Sequence, residues 1–97
     1  MRFSWDPKKS AANLRTRGFD FAFATLVFDG PTVEREDRRR AYGERRIVAI
    51  GLAGGVALTV VYTDRGESEP ELERRIIAAW RSNRRERQTY AQGLKAP

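Results

Sequence analysis

Residues 46–63 read RIVAIGLAGGVALTVVYT, and this stretch decides the fold. Residues 46–53 and 56–63 are two runs rich in Val, Ile, Leu and Thr, separated by Gly54-Gly55. Two glycines between β-rich runs form a two-residue hairpin loop, because glycine takes positive φ without steric cost. The apolar stretch 47–61 contains three glycines. It is shorter than the roughly 20 residues a membrane span requires. The expectation is an antiparallel hairpin at the centre of a soluble domain.

Towards the C-terminus, Asp64-Arg65-Gly66 reads as a turn and 67–73 as an acidic loop containing Pro70. Residues 74–80 form another strand, centred on Ile76-Ile77-Ala78-Ala79. Asn83 with Glu86 three residues later is a capping box. It opens a helix from Arg84 to about Gln92, which Gly93 ends, with Tyr90 and Leu94 free to dock on the sheet and 94–97 left as a tail.

Towards the N-terminus, 2–5 is a short strand. Asp6-Pro7 starts a helix, with Asp as N-cap and Pro at the first helical position. It runs to about Arg17 and stops at Gly18. Asp20 caps a second, shorter helix, with Phe21, Ala24 and Phe28 at helical spacing. Asp29-Gly30-Pro31 is a turn, 32–36 a short strand, and 37–43 a charged loop. The order β-α-α-β-β-β-β-α, with short links between strands, predicts antiparallel pairing and an α+β fold.

The chain has 97 residues, 40% of them hydrophobic, which suits a single domain over 1–97. Lys and Arg number 19 against 13 Asp and Glu, a net +6, and 16 of the 19 are Arg. The isoelectric point near 10.5 favours anionic partners such as nucleic acid. There is no Cys and no His. Disulfides, thiol nucleophiles, Cys- or His-ligated metals and imidazole bases are thereby excluded. Residues 1–9 carry Trp and charges where a secretory signal would be apolar, so the expected location is cytoplasmic.

Phe3, Trp5-Asp6-Pro7-Lys8, Asn13, Gly18, Phe21 and Phe28 resemble the opening of BrnT-type toxins. Residues 46–51, 60–66 and 75–79, followed by Asn83-Arg84-Arg85-Glu86-Arg87 and Tyr90, resemble that family's later strands and C-terminal signature. The resemblance covers about residues 3–90. It implies a RelE-like fold: an antiparallel sheet with N-terminal helices and a C-terminal helix. It also implies an endoribonuclease toxin of a type II toxin–antitoxin pair, inhibiting growth by cleaving RNA. Its partner would be a BrnA-like antitoxin, in a 2:2 hetero-oligomer that reaches DNA only through the antitoxin. No cofactor, metal or membrane contact is implied.

The chain departs from the family pattern at Thr16-Arg17-Gly18, where members carry Lys-His-Gly. Ala78 stands for a Ser and Trp80 for an Arg, and loop 67–73 is longer than usual. These departures motivate an alternative, an impaired toxin that serves as the antitoxin's partner in a DNA-bound autorepressor complex. A third reading is a basic nucleic-acid-binding domain outside any toxin system.

RNA cleavage without metal needs a base for the 2′-hydroxyl, an acid for the 5′-oxygen and cations for the developing phosphorane charge. Arg46, Arg65 and Arg75 match family positions and are the candidate phosphate contacts, against a reading as solvated or locally paired strand-end charges. Glu44 is the candidate base, although a loop Glu beside Arg45 also suits a surface pair. Candidate RNA contacts are Lys8, Arg17, Arg38, Arg39, Trp80 and Arg81. Arg40 extends the Arg38-Arg39 run, and Lys9 sits beside Lys8. Trp80 can stack on a base or simply close the sheet. Strand alternation sets Arg81 against replacing the charge missing at position 80. Tyr62 and Tyr90 read as packing residues with bonded hydroxyls.

Overall fold

The computed structural model describes residues 1–95, so residues 96 and 97 of the expected tail lie outside the described residues. Five strands form one sheet in the order β1-β5-β4-β3-β2. The elements are β1 (Arg2–Trp5), α1 (Pro7–Arg17), α2 (Phe21–Ala24), β2 (Val33–Glu36), β3 (Ile47–Ala53), β4 (Val56–Arg65), β5 (Glu73–Arg81) and α3 (Arg84–Lys95). A 3₁₀ turn, Thr25–Asp29, continues α2, so the second helix is one turn long before it tightens. The fold is α+β with a mostly antiparallel sheet. The exception is β1, which pairs with β5 in parallel. Hairpin logic fails there because β1 and β5 are separated by most of the chain.

The central hairpin forms as the sequence requires. Gly54 and Gly55 have φ of 54° and 81°, the double positive φ of a type I′ turn, and Ala53 pairs with Val56 across it. Helix α1 is capped at both ends by residues suited to the task. The Asp6 side chain accepts from the Lys8 N–H, and Gly18 at φ 86° donates its N–H to the Leu14 carbonyl.

Alternation sorts the sheet into two faces. On one, Ala49, Ala53, Leu58, Val60, Tyr62, Ile76 and Ala79 pack against Phe19, Phe21, Ala24 and Val27 from the helical segments. Burying side chains as large as Phe21, Leu58 and Ile76 contributes about 1.5–3 kcal/mol each. Arg74 also lies on this side, over the rings of Phe28 and Tyr62 at 4.8 and 4.0 Å, and is bidentate to Asp64 at 2.8 and 2.9 Å. Burial, and the Glu34 carboxylate that accepts the Tyr62 hydroxyl at 2.5 Å, push that phenol's pKa well above its ordinary value. Tyr90 is buried and bonded through its hydroxyl to the Pro31 carbonyl at 3.1 Å.

The other face carries Val48, Ile50, Thr59, Val61 and Thr63, with α3 packed over its β2–β3 side. Here the structure corrects the reading of Gly93 as a helix stop. Helix α3 continues through Lys95, and Gly93 lies against Val33 of β2. A Cβ at Gly93 would fall 2.6 Å from Val33 Cγ2, so this glycine permits close approach instead of ending the helix.

A β-bulge in β5 decides what faces the site. Val61 pairs with Ala78 and Tyr62 with Ile76, leaving Ile77 as an extra residue. Extra residues of this kind re-aim the side chains beyond them. Ile76 and Ala79 therefore both enter the core, at 2% and 0% exposure. Arg75 pairs with Thr63 and shares a face with Ala78 and Trp80.

Candidate active site

Arg46, Arg65, Arg75 and Glu44 converge on one polar cleft of about 280 Å³, together with Asp6, Lys9, Ile76 and Ile77. Each side chain arrives by a different route. Arg75 is set on this face by the Ile77 bulge. Arg65 is the last residue of β4, paired with Glu73, and so belongs to a strand, not to the turn expected after Thr63. Its neighbour Asp64 pairs across the sheet with Arg74, not locally with Arg65. Arg46 immediately precedes β3, and its guanidinium lies 4.1 Å from the Tyr42 ring centroid. Its Nε donates to Glu44 Oε2 at 3.1 Å. The surface pair expected between Glu44 and Arg45 is not formed, because Arg45 pairs with Glu36 at 2.8 Å. Lys9 and Asp6 come from the start of α1, which runs past the β5 side of the cleft. Four cations thus face two carboxylates, a balance suited to a phosphodiester.

A second depression adjoins the first and shares Lys9 and Ile77 with it. Its walls include Asn13, Arg17, Ala78 and Trp80. Two of the departing residues, Arg17 and Trp80, have internal partners here. Arg17 Nη1 donates to the Ala79 carbonyl at 3.0 Å. Because β1 pairs only with residues 73–76, the edge of β5 away from β4 has no partner strand beyond Ile76, and Arg17 covers part of that bare edge. Trp80 Nε1 donates to the Glu86 carboxylate at 3.2 Å. Glu86 also accepts the Asn83 N–H at 2.8 Å, and its own N–H reaches Asn83 Oδ1 at 2.8 Å. The capping box expected for α3 is present, and Trp80 braces it.

The remaining candidates lie elsewhere. Arg81 projects from the opposite sheet face, into a groove with Leu14, Phe23 and Val56. Lys8 is exposed and lines neither the cleft nor the adjoining depression. Arg38 is bonded to Glu36 at 2.9 Å and Arg39 is bidentate to Asp37 at 2.9 and 2.8 Å, so much of the loop's charge is matched internally. The Arg39 guanidinium holds the buried Asp37 carboxyl well below the usual carboxylate range, helped by the Tyr42 hydroxyl. Sequence reasoning did not select Asp6 or Tyr42 for the site. Both lie outside any periodic pattern, and only the path of the chain brings them there.

Among the described residues, no group of three or more Asp or Glu side chains is placed to hold a metal ion. No described helix is long and apolar enough to cross a membrane.

The model for the ribonuclease toxin, BrnT, of type II toxin–antitoxin systems matches residues 5–86 of the 97. No curated protein matches the chain.

Proposed function

This chain belongs to the BrnT family of type II toxin–antitoxin ribonuclease toxins, and from that premise we propose that it is a metal-independent endoribonuclease acting at the Arg46–Arg65–Arg75 cleft. The observation carrying this reading is the convergence of three Arg side chains, Glu44 and Lys9 on one cleft from separate elements. In the proposed reaction the guanidiniums seat one phosphodiester and stabilise its added charge at the phosphorane. Glu44 takes the proton of the 2′-hydroxyl, whose oxygen then attacks the phosphorus. Its Oε1 accepts no hydrogen bond among the described residues and is available for this step. The 5′-oxygen departs with a proton from the Lys9 ammonium. The products are a 2′,3′-cyclic phosphate and a free 5′-hydroxyl.

A BrnA-like antitoxin in a 2:2 complex would neutralise the toxin in the cytoplasm and carry the DNA contact. The purified chain should cleave RNA and slow growth when expressed alone, and co-expressed antitoxin should restore growth. Intact RNA with unslowed growth would refute the reading.

A second reading is favoured by one observation: Arg17 and Trp80, two of the departing residues, line the same depression and have their polar groups engaged internally. On this reading the copy is catalytically impaired and acts as the antitoxin's partner in an autorepressor complex. It predicts antitoxin binding without toxicity, and gain of toxicity in Trp80→Arg or Arg17→His. Toxicity of the unaltered chain excludes it.

A further inference from the structure

We propose that the groove between α1 and the start of β4 is the docking site for an amphipathic, acidic segment of the antitoxin. The proposal rests on membership in a toxin–antitoxin family and not on the cleavage chemistry. The groove is lined by Leu14, Phe19, Phe23, Val56 and Leu58, with Arg81 beside them, on the sheet face opposite the Arg75 cleft. Its floor is core, with Phe19 and Leu58 at 6% and 1% exposure. Its rim is not: Leu14 is 51% exposed and Val56 39%. Apolar side chains left in water around a concave surface mark an interaction site. At about 290 Å³ the space is at the small end for a small-molecule site and suits one or two inserted side chains.

Charge identifies the occupant. The Arg81 guanidinium pairs with no carboxylate among the described residues. Asp20, also on the wall, has Oδ1 engaged with the Phe23 N–H as the cap of α2. The groove therefore offers an apolar seat beside an unmatched cation, and its complement is a large apolar side chain near an Asp or Glu. A second copy of this chain fits poorly, since each carries +6 and would bring more cations to Arg81. The occupant proposed is therefore an antitoxin segment that places a large apolar side chain beside an Asp or Glu. Because this groove and the Arg75 cleft lie on opposite faces, docking here leaves the cleft to be blocked by another part of the antitoxin.

The test uses the full chain and the antitoxin encoded beside it, with affinity measured by calorimetry. Leu14→Asp and Val56→Asp should each weaken Kd at least about 30-fold, and Arg81→Glu about 10-fold. Lys8→Ala should bind within about 3-fold of the unaltered chain, since Lys8 is exposed and lines neither the groove nor the cleft. Circular dichroism checks the fold of each variant, and Arg81→Glu, at an exposed position, keeps the test informative if an apolar-to-Asp variant unfolds. Unchanged affinity in the folded groove variants overturns the proposal. So does sedimentation showing a dimer of the free chain that Val56→Asp dissociates, which would assign the groove to self-association. Absence of RNA cleavage would refute the ribonuclease reading and leave the binding result standing.

Discussion

Replacing Gly93 with alanine should destabilise the protein, although helix propensity alone gives the opposite sign. In an exposed helix interior, Gly→Ala stabilises by about 1 kcal/mol. At Gly93 the added Cβ would lie 2.6 Å from Val33 Cγ2, 2.9 Å from Cγ1 and 3.3 Å from Cβ. Carbon atoms pack favourably at about 3.5–4.0 Å, so α3 and β2 must separate by roughly 1 Å. Val33 cannot swing aside cheaply, because it is β-branched and held in register opposite Ile50. Overpacking of this kind costs about 1–3 kcal/mol. Subtracting the propensity gain leaves about 0–2 kcal/mol of destabilisation. For a domain of about 100 residues each kcal/mol is about 4–8 °C in Tm. Urea melts of Gly93→Ala, Val33→Ala and the double variant give the cycle. In the Val33→Ala background the alanine at 93 should be neutral or stabilising by up to about 1 kcal/mol. A Gly93→Ala protein more stable than the parent, or an equal effect in both backgrounds, would refute the close-approach argument.

Arg75→Ala should lower RNA cleavage about 10²–10³-fold in single-turnover assays, because the cleft loses one of its three guanidiniums. Its stability should stay within about 0.5 kcal/mol, since Arg75 forms no ion pair among the described residues. Asp37 titrates below its ordinary 3.8 in the folded protein, so its contribution is complete above that value and fades as pH falls through it and lower. Acid unfolding followed by fluorescence should therefore steepen below about pH 4, and Asp37→Asn should flatten that limb. Trp80→Phe removes the donor to Glu86 and should cost about 1–2 kcal/mol, with faster hydrogen exchange at residues 84–87; Trp80→Arg restores a donor and should retain the protection.

Much of the architecture was legible because its signals are local. The Gly54-Gly55 turn, the Asp6 and Asn83 caps and the Gly18 stop each act within a few residues of their own position. Gly93 misled for the same reason: a glycine near a helix end reads as a terminator, and only the approach of Val33 shows its other use. Among the candidate site residues, those at strand ends converged on a cleft, whereas Arg38 and Arg39 are matched by Glu36 and Asp37. Those acids are adjacent in sequence, but charge adjacency alone does not say which pairs form.

The sequence by itself determined the elements, the basic charge and the family to which the chain belongs. Hydrogen-bonding caps, turn glycines and hydrophobic period are short-range properties, and they survive without knowledge of neighbours. Only the tertiary structure decided which arginines share a cleft. Arg74 and Arg75 are chemically identical neighbours, yet one is stacked over Phe28 and Tyr62 and the other faces the cleft. Alternation requires that they differ, and it is silent about which faces which way. The extra residue Ile77 settles that orientation through pairing with a strand more than ten positions away, a long-range constraint that no local pattern encodes.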